Sequence, residues 1–352
     1  MIDRRTLIAG SLALVTTRAT AAQLPSSSKR HVLNAIQLPP GFNGALAYGR
    51  GGRIEHVRFV GMADAEAGKP VTPLTRFKWG SASKWLASVA TLRLAEQKKL
   101  SLESPITAFL PDFRRDTGER VLIKHLLSNT SGIADLLVPQ IKADPSLRNS
   151  TASASAMVDR FGGGDLKFVP GEGWDYAALN WVILAAVLER VTGEPLATLV
   201  ARLVLRPLGM SETGFAQVDQ RPMPDLAAAY SSGVPPVRKM LPVPSFLAAS
   251  GNTAGTVRDA MRAAHGIFHG PLLSAPSRRE LTTVRRADQE YALGGRVRPI
   301  RGDLWAWETG KVEGYRAHIA HRLSRSETVV IFNTTDLEQS RIGGWVEAIA
   351  LA

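Results

Sequence analysis

Ser81 and Lys84 are the two residues whose types and spacing most directly suggest joint chemistry. The apolar residues of segment 85–94 recur roughly at helical spacing, which predicts that Ser81 lies at the N-terminus of a helix. Residues three apart project from one face of a helix. A lysine desolvated beside a serine becomes a usable base, and free N–H groups at a helix start can stabilise a negatively charged substrate oxygen. The pattern therefore predicts a nucleophile with its base.

The Ser-x-x-Lys pattern is weak evidence on its own. It occurs a second time, from Ser26 to Lys29, in a polar segment that is typical of a linker. The alternative for Ser81 and Lys84 is a serine that caps a helix and a lysine that is solvated. Other segments of the chain must decide between the two interpretations.

The composition is that of a globular protein with room for two domain-sized cores. The chain has 352 residues, of which 45% are hydrophobic and 21% are charged. It contains no cysteine. Disulfides and thiolate chemistry are therefore excluded.

The N-terminus has the pattern of an export signal. Arg4 and Arg5 precede an apolar run at residues 7–15, and a small-x-small cleavage site follows at residues 19–21. The run is shorter than the roughly 20 residues of a membrane-spanning helix, and no transmembrane segment is expected later. Residues 1–22 are predicted to be a twin-arginine signal peptide, so we expect a periplasmic or secreted protein. The alternative is an uncleaved interfacial anchor.

Positive charge is in excess, with a formal net charge of +12. No segment has the pattern of a nucleic-acid-binding motif, so no nucleic-acid partner is predicted. The excess either favours acidic envelope polymers and anionic head groups or forms a solvated basic face. It is densest at Arg278, Arg279, Arg285, Arg286, Arg296, Arg298 and Arg301.

The elements that would position Ser81 are predicted at both ends of the chain. Period-2 alternation predicts strands at 44–48, 54–60, 291–297, 304–308, 317–322 and 328–332. Helical spacing predicts helices that begin at Ser81, Leu179, Leu196, Val257 and Gly344. The order predicts an α+β protein in which one α/β domain, residues 23–105 and 235–352, is interrupted by a helical domain, residues 106–234.

Further landmarks follow Ser81 in an order that resembles the serine β-lactamase-related family of class C β-lactamases, D-amino-acid peptidases and their esterase relatives. The matching segments are residues 77–84, Leu100-x-Leu102 with Pro105-Ile106, residues 123–132, Pro170-Gly171 with Tyr176, residues 207–215, Tyr291-x-Leu293-Gly294 and Gly310-x-x-Glu313-Gly314-Tyr315. Each match is weak singly, but together they cover nearly the whole mature chain in order. The resemblance implies a β-lactamase/transpeptidase-like fold, with an antiparallel sheet flanked by helices and an inserted all-α domain.

The same resemblance implies roles for individual residues. Ser81 would attack a carbonyl carbon and become acylated, Lys84 would take or relay its proton, and Tyr176 would share that proton and hand it to the leaving group. The backbone N–H groups of Ser81 and Lys311 would form the oxyanion hole. For Tyr176 the alternative is a half-buried aromatic residue at a helix start. Substrate-binding positions would be Ala178, Glu308, Thr309 and Gly310.

Two positions depart from the family pattern. The tyrosine motif is usually Tyr-x-Asn, but here Ala178 replaces the asparagine, and Asn180 would be only a partial substitute. This change favours esters over amides. The third motif usually begins with Lys, His or Trp, but here it begins with Glu308. Glu308 would face the substrate and favour cationic or neutral esters, pair with Lys84 and disarm the site, or pair with a nearby arginine.

No metal site or cofactor is predicted. His265 and His269 lie one helical turn apart but lack an acidic third ligand, and His318 and His321 should point to opposite faces of a strand. No phosphate-cradling loop is present either.

The sequence thus predicts an exported serine hydrolase that forms an acyl-enzyme on Ser81 and prefers small esters. One alternative is a D-amino-acid peptidase or weak β-lactamase that acts on cell-wall peptides. Another is a catalytically silent member that binds an envelope ligand. The predicted partner of the protein is a small-molecule ester or peptide substrate, and the sequence predicts no oligomeric state.

Overall fold

The structure is a computed structural model that describes residues 26–216, 223–232, 236–240 and 242–352. The predicted signal peptide, residues 1–22, lies outside these ranges. Within them, no helix has the length and apolar character needed to span a membrane.

The described part of the chain combines short helices with several small groups of strands. The strands are β1 (Gly44–Arg50), β2 (Arg53–Val60), β3 (Met62–Asp64), β4 (Lys69–Pro70), β5 (Phe77–Lys78), β6 (Gly214–Phe215), β7 (Ala229–Tyr230), β8 (Arg238–Lys239), β9 (Thr253–Gly255), β10 (Arg296–Ile300), β11 (Asp303–Val312), β12 (Tyr315–Arg322) and β13 (Glu327–Asn333). The α-helices are α1 (Ser26–Ala35), α2 (Lys84–Glu96), α3 (Arg115–Gly118), α4 (Ile123–Leu127), α5 (Leu137–Ala143), α6 (Ala154–Phe161), α7 (Ala178–Thr192), α8 (Leu196–Val200), α9 (Ala248–Gly251), α10 (Val257–Phe268), α11 (Ala275–Thr282) and α12 (Gln339–Leu351).

The largest sheet joins the two ends of the chain. Its six antiparallel strands run in the order β10-β11-β12-β13-β1-β2, with Gly44 opposite Asn333 and Arg50 opposite Glu327. Strands β1 and β2 form the predicted hairpin. Antiparallel pairing of distant segments needs no crossover helix, so the chain can leave the sheet after β2 and return at β10. The predicted α+β fold with an antiparallel sheet is confirmed.

Helices cover both faces of this sheet. Ala45 and Ala47 of β1 pack into one apolar cluster with residues of α2 and α10. The alternate residues Leu46 and Tyr48 pack into a second cluster with residues of α1 and α12. Because side chains alternate across a strand, a sheet buried on both faces reads as a continuous apolar run. Residues 329–332 at the centre of β13 have this pattern, and all seven residues of the strand are buried.

The middle of the chain packs around α7. Its first eleven residues are apolar apart from Asn180, and ten of them, from Leu179 to Leu188, are buried. An α-helix that is apolar on all sides must be enclosed by other elements, and here α4, α5, α6 and α9 pack against it. The predicted helices of residues 179–191 and 257–268 agree with α7 and α10. The proposed domain boundaries stay a prediction.

Three local predictions differ from the structure. The strand expected at 291–297 begins only at Arg296, because Gly294 adopts a left-handed φ of +77° and turns the chain. The last helix begins at Gln339 rather than at Gly344.

The third difference concerns the second Ser-x-x-Lys match. Its polar composition predicts a linker, but in the structure it begins α1. Lys29 is buried, and its Nζ donates hydrogen bonds to the carbonyl oxygens of Ile349 (3.1 Å) and Ala350 (3.0 Å). These are unpaired carbonyl groups at the C-terminal end of α12, where a cation is favourable. This lysine therefore joins the two terminal helices.

Candidate active site

Ser81 lies in a short 3₁₀ turn, Gly80–Ser83, that leads directly into α2. The turn begins at Gly80, whose φ of +52° is costly for residues that carry a side chain. Two hydrogen bonds to Thr253 in β9 hold the turn. The N–H of Trp79 donates to the carbonyl oxygen of Thr253 (2.9 Å), and the N–H of Thr253 donates to Ser83 Oγ (3.1 Å). The predicted place of Ser81 at a helix N-terminus is confirmed.

The Ser81 hydroxyl lies between two potential proton-transfer groups. Its Oγ is 3.1 Å from Lys84 Nζ and 2.7 Å from the hydroxyl oxygen of Tyr176. Lys84 is 3% exposed, and its Nζ donates a second hydrogen bond to the carbonyl oxygen of Ser250 (2.7 Å). It also lies over the rings of Tyr176 and Trp181, 4.8 and 5.4 Å from their centroids. The fold thus brings the three predicted catalytic residues together.

Burial gives Lys84 and Tyr176 different protonation behaviour. Desolvation lowers the pKa of Lys84 to about 7, although the nearby carboxylate of Glu308 opposes this change. Desolvation and the charge of Glu308 both raise the pKa of Tyr176. The tyrosine is therefore neutral at physiological pH and can donate to Ser81 Oγ, while a substantial fraction of the lysine is a neutral amine that can accept the serine proton.

Tyr176 reaches Ser81 from a loop that precedes α7. The loop is fastened to the segment after α4, because the N–H of Gly171 donates to the carbonyl of Thr130 (2.8 Å) and that of Asp175 to the carbonyl of Asn129 (3.0 Å). The Tyr176 ring also contacts Tyr291 edge to face, with 6.2 Å between ring centroids. Tyr176 as a residue is 40% exposed, but its hydroxyl is directed inward to Ser81 Oγ, and both anchor points of the loop are backbone bonds. The hydroxyl is therefore held by the fold itself.

Strand β11 lies directly against the Ser81 turn. A Cβ atom added to Gly310 would lie 1.9 Å from the carbonyl oxygen of Trp79, and one added to Gly80 would lie 2.9 Å from the backbone nitrogen of Lys311. Both glycines are needed for this close approach. Strand β10 pairs only with residues 303–307, so the edge of β11 beside the turn is open on that side. The N–H of Lys311 therefore belongs to the same small region as Ser81.

A cleft of about 720 Å³ opens in front of these groups. Ser81, Lys84, Tyr176, Ala178 and Lys311 all line it. Within the described ranges no asparagine or glutamine is among its lining residues. The lining also includes charged residues from several elements, namely Arg148, Lys239, Glu313, Arg316, Asp336 and Glu338.

Glu308 does not face this cleft, so the prediction that its charge meets the substrate is wrong. Its side chain is 1% exposed, and Nη1 of Arg296 donates to its two carboxylate oxygens at 2.8 and 3.0 Å. The N–H of Thr309 donates to the same carboxylate (2.8 Å). The hydrogen bonds of Lys84 go to Ser81 and Ser250 instead. Of the three interpretations, the arginine partner is the one observed.

Asn180 does not replace the missing amide of the tyrosine motif. It is 1% exposed, and its Oδ1 accepts a hydrogen bond from Ser131 Oγ (2.6 Å). Its Nδ2 donates to Asn129 Oδ1 (3.3 Å). The side chain therefore links α7 to the segment after α4 and is not available in the cleft.

Two further neighbours of Lys84 cannot be recognised from sequence patterns. One is the carbonyl of Ser250, since any residue type can supply a backbone oxygen. The other is Trp181, which lies on the predicted helix but appears from sequence to be an ordinary core residue.

The histidines form no metal site in the described part of the chain, where no group of three His, Asp or Glu residues is suitably placed. His269 Nδ1 lies 2.8 Å from His321 Nε2, and His265 Nδ1 lies 2.7 Å from Ser326 Oγ. These contacts connect α10 to the sheet.

Comparison with known proteins is consistent with this geometry. Residues 40–352 match the sequence profile of the Beta-lactamase family. The chain belongs to the beta-lactamase family. The family includes serine hydrolases with esterase, amidase and penicillin-binding relatives, which supports the classification of this protein as a hydrolase.

Two relatives illustrate the breadth of the family. The chain is 36% identical to esterase EstB of Burkholderia gladioli over 208 residues, which span 55% of this chain and 52% of the relative. It is 27% identical to the putative penicillin-binding protein PbpX of Bacillus subtilis, over 81% of this chain and 69% of the relative. The first alignment thus spans about half the length of that relative.

Two solved structures of other proteins share the fold. EstCE1, a hydrolase with promiscuous acyltransferase activity, gives a TM-score of 0.78 at 22% identity, over 93% of this chain and 99% of the other. The D-amino acid amidase of Ochrobactrum anthropi SV3 gives 0.78 at 17% identity, over 92% and 97%.

Proposed function

We propose that this protein is an exported serine hydrolase that acts on small esters through an acyl-enzyme on Ser81. One observation supports this most strongly: Ser81 Oγ lies within hydrogen-bond distance of both Lys84 Nζ (3.1 Å) and the Tyr176 hydroxyl (2.7 Å). Lys84 takes the proton from Ser81 as Oγ attacks the carbonyl carbon. The N–H groups of Ser81 and Lys311 stabilise the oxyanion. Tyr176 donates its proton to the leaving alkoxide and regains one from the Lys84 ammonium, so that the alcohol leaves and no phenolate remains. Water then releases the acyl group.

The balance between ester and amide substrates rests on Ala178. It lines the cleft where the family pattern has an asparagine, and Asn180 is bonded elsewhere. A site built to hydrogen-bond an amide strongly disfavours substrates that lack the matching group, whereas a site without such a donor has less to distinguish amides. The alternative substrates are cell-wall D-amino-acid peptides and β-lactams. The similarity to EstB also favours esters.

A catalytically silent member is the second candidate function. Its support from the sequence is Ala178, together with a Glu308–Lys84 pair that would keep the lysine protonated. Since Arg296 neutralises Glu308, that support is weaker. The nucleophile, base and cleft instead favour an active enzyme.

The test of the reaction is intact-mass spectrometry after exposure to a fluorophosphonate probe. Ser81 Oγ would form a bond to phosphorus, the P–F bond would break, fluoride would leave, and the serine proton would pass to Lys84. We expect a single adduct on the wild type and on Ser155→Ala, a matched control at an exposed serine, but none on Ser81→Ala. An unlabelled, folded wild type would favour the silent member.

The substrate test compares short-chain activated esters with a D-Ala-D-Ala peptide and nitrocefin. We expect turnover of the ester and little of the other two. Turnover of the peptide but not the ester would reverse the ordering.

Export is proposed from the twin arginine at Arg4 and Arg5 and the apolar run that follows. The test is N-terminal sequencing of the protein isolated from its host. A mature chain that starts near residue 22 agrees with the proposal, whereas one that starts before Ala19 contradicts cleavage.

A further inference from the structure

A buried ion pair adjoins the candidate active site without lining its cleft. Arg296 of β10 and Glu308 of β11 lie on adjacent strands, and their side chains are 19% and 1% exposed. The guanidinium lies near the rings of Tyr291 and Trp307, with Cζ 5.2 Å from each centroid. Aromatic neighbours, two charged hydrogen bonds and the Thr309 N–H thus hold both members in defined positions.

Stability alone is a poor explanation of this pair. Taking two charges out of water costs free energy that their attraction rarely exceeds, and apolar residues of similar size are often equally stabilising. What the pair does bring is a carboxylate and a guanidinium in a low-dielectric region beside the site. Charges there act on neighbouring ionisable groups more strongly than they do at the surface.

The two charges of the pair shift the pKa of Lys84 in opposite directions. The carboxylate of Glu308 raises the pKa of Lys84, and the guanidinium of Arg296 lowers it. The same two residues have the same opposed effects on Tyr176. Because the pair has no net charge, desolvation remains the dominant influence on the lysine.

The other groups that surround Lys84 are neutral or lie across the cleft. The elements packed against it contribute the Ser81 hydroxyl, the Ser250 carbonyl, and the rings of Tyr176 and Trp181, with Tyr291 beyond Tyr176. On the open side the charged cleft residues are Arg148, Lys239, Lys311, Glu313, Arg316, Asp336 and Glu338. The Arg296–Glu308 pair reaches this group through the aromatic rings, because Arg296 Cζ lies 5.2 Å from the centroid of Tyr291 and that ring contacts Tyr176, over which Lys84 Nζ lies.

We propose that Arg296 and Glu308 are positioning residues that set the charge balance around Lys84, each offsetting the effect of the other. The proposal rests on the function proposed above, in which Lys84 is the base for Ser81. It also explains how a glutamate is tolerated where the family pattern has Lys, His or Trp: the neighbouring strand supplies the compensating cation.

The test is the pH dependence of fluorophosphonate labelling in a double-mutant cycle. Glu308→Gln removes the negative charge, so Lys84 should lose its proton more easily. The acidic limb of the pH profile, where the labelling rate rises as Lys84 becomes neutral, should therefore move down by about one pH unit. Arg296→Gln leaves Glu308 facing Lys84 alone, so the limb should move up by about as much. The double variant should return close to the wild-type midpoint, and Arg296→Lys, which keeps the charge, should resemble the wild type.

The matched control is the exposed pair Arg202–Glu194, where Glu194→Gln should leave the midpoint unchanged. Should Glu308→Gln fail to fold, Glu308→Asp withdraws the carboxylate by one methylene and should give a smaller downward shift. If folded single variants lose stability but keep the wild-type midpoint, the pair is only structural and the proposal is wrong.

A second measurement separates this proposal from the proposed function. Titration of [ε-¹³C]lysine-labelled protein by NMR, with Lys84 assigned by Lys84→Met, follows the amine without any reaction. Opposite shifts of the Lys84 titration in the two variants support the pair even if Ser81 proves unreactive. An unchanged Lys84 titration overturns it even if the enzyme is active.

Discussion

Three side chains and one carbonyl oxygen define how protons can move around Ser81. Lys84 gives one N–H to the Ser250 carbonyl, which leaves its lone pair free to face Ser81 when the amine is neutral. Tyr176 is neutral and approaches the same Oγ from the cleft side. This arrangement assigns proton removal to the lysine and proton donation to the tyrosine. The opposite order would need Tyr176 to be a phenolate in the resting enzyme, which burial disfavours.

Removing the base should abolish most of the reactivity of Ser81. We expect Lys84→Met to slow fluorophosphonate labelling by roughly 10²- to 10⁴-fold, the usual contribution of a positioned base. Lys99→Met, at an exposed lysine on the loop after α2, should label at the wild-type rate. The check is the labelling rate by intact mass, with circular dichroism to establish that both variants fold. Equal rates in Lys84→Met and the wild type would contradict the assignment.

The wild-type rate should itself depend on pH in a defined direction. The neutral amine is the active form, and burial lowers the pKa of Lys84 to about 7. Labelling should therefore be slow below pH 7 and rise to a plateau above it, in the range where the probe is stable. An acidic limb near the ordinary lysine pKa of about 10.4 would mean that Lys84 is not desolvated in solution.

The role of Tyr176 is separable by the choice of leaving group. Fluoride and nitrophenolate leave without a proton, whereas an alkoxide needs one. Tyr176→Phe should therefore retain most fluorophosphonate labelling and nitrophenyl ester hydrolysis but lose alkyl ester hydrolysis by a larger factor. Tyr291→Phe, whose hydroxyl lies deeper and is not among the cleft residues, is the matched control. Equal losses on both ester types would instead make Tyr176 part of the Ser81 activation step.

At the scale of elements, the site depends on the contact between β11 and the Gly80–Ser83 turn. Two backbones can approach this closely only where neither carries a Cβ atom, and Gly80 and Gly310 meet that requirement. The contact brings the N–H of Lys311 beside Ser81. Strand β11 is in turn held by eight residue pairs with β12, from Trp305–Arg322 to Val312–Tyr315.

A single methyl group should disrupt this contact. Gly310→Ala would place Cβ 1.9 Å from the Trp79 carbonyl oxygen, so β11 must move away. We expect a loss of about 1–3 kcal/mol in the free energy of unfolding, together with a larger loss of activity, because the Lys311 N–H leaves the oxyanion position. The matched control is Gly344→Ala in α12, where a Cβ meets no atom within 4 Å. Urea unfolding and ester turnover measure both effects, and an unimpaired Gly310→Ala would refute the contact.

At the scale of the whole molecule, the chain closes on itself. Strand β1 pairs with β13, and α1 contacts the last turn of α12 through Lys29. Several arginines of the basic C-terminal region are also used internally: Arg285 pairs with Glu280, Arg286 with Asp288, and Arg296 with Glu308. Part of the predicted basic face is thus neutralised by local acidic partners, which favours the interpretation as ordinary surface charge.

The buried histidines should make the fold sensitive to acid. Burial lowers the pKa of His318 to about 3 and that of His125 to about 4, and it lowers the pKa of His321 as well. In the unfolded chain these histidines bind protons below about pH 6.5, whereas in the folded chain their lowered pKa values keep them neutral. Protonation therefore favours the unfolded chain as the pH falls from 6.5 toward 3. Stability should be highest above pH 6.5 and decrease progressively below it.

Urea unfolding at a series of pH values checks this expectation. His318→Asn should show a weaker decrease between pH 6.5 and 3 than the wild type, whereas His31→Asn, at an exposed position, should show the same decrease. A pH-independent unfolding midpoint in the wild type would mean that these histidines become solvated in solution.

The sequence by itself determined the features that depend on neighbouring residues. Helical spacing set Ser81 and Lys84 on one face of a helix start, and alternation set the β1–β2 hairpin and the last three strands. The ordered motifs also pointed to Tyr176, although it lies 95 residues from Ser81. Such patterns are local, so they can be read without knowing what packs against them.

Only the tertiary structure decided the properties that depend on burial and on contacts between distant residues. Contacts between distant segments determine three such properties. They are the burial of Lys84, the pairing of Glu308 with Arg296, and the carbonyl group to which Lys84 donates. Lys29 shows the same limit: its motif equals that of Lys84, yet it joins two terminal helices. Desolvation and charge pairing are set by what surrounds a side chain in space, and the same four-residue pattern therefore has two different outcomes in one chain.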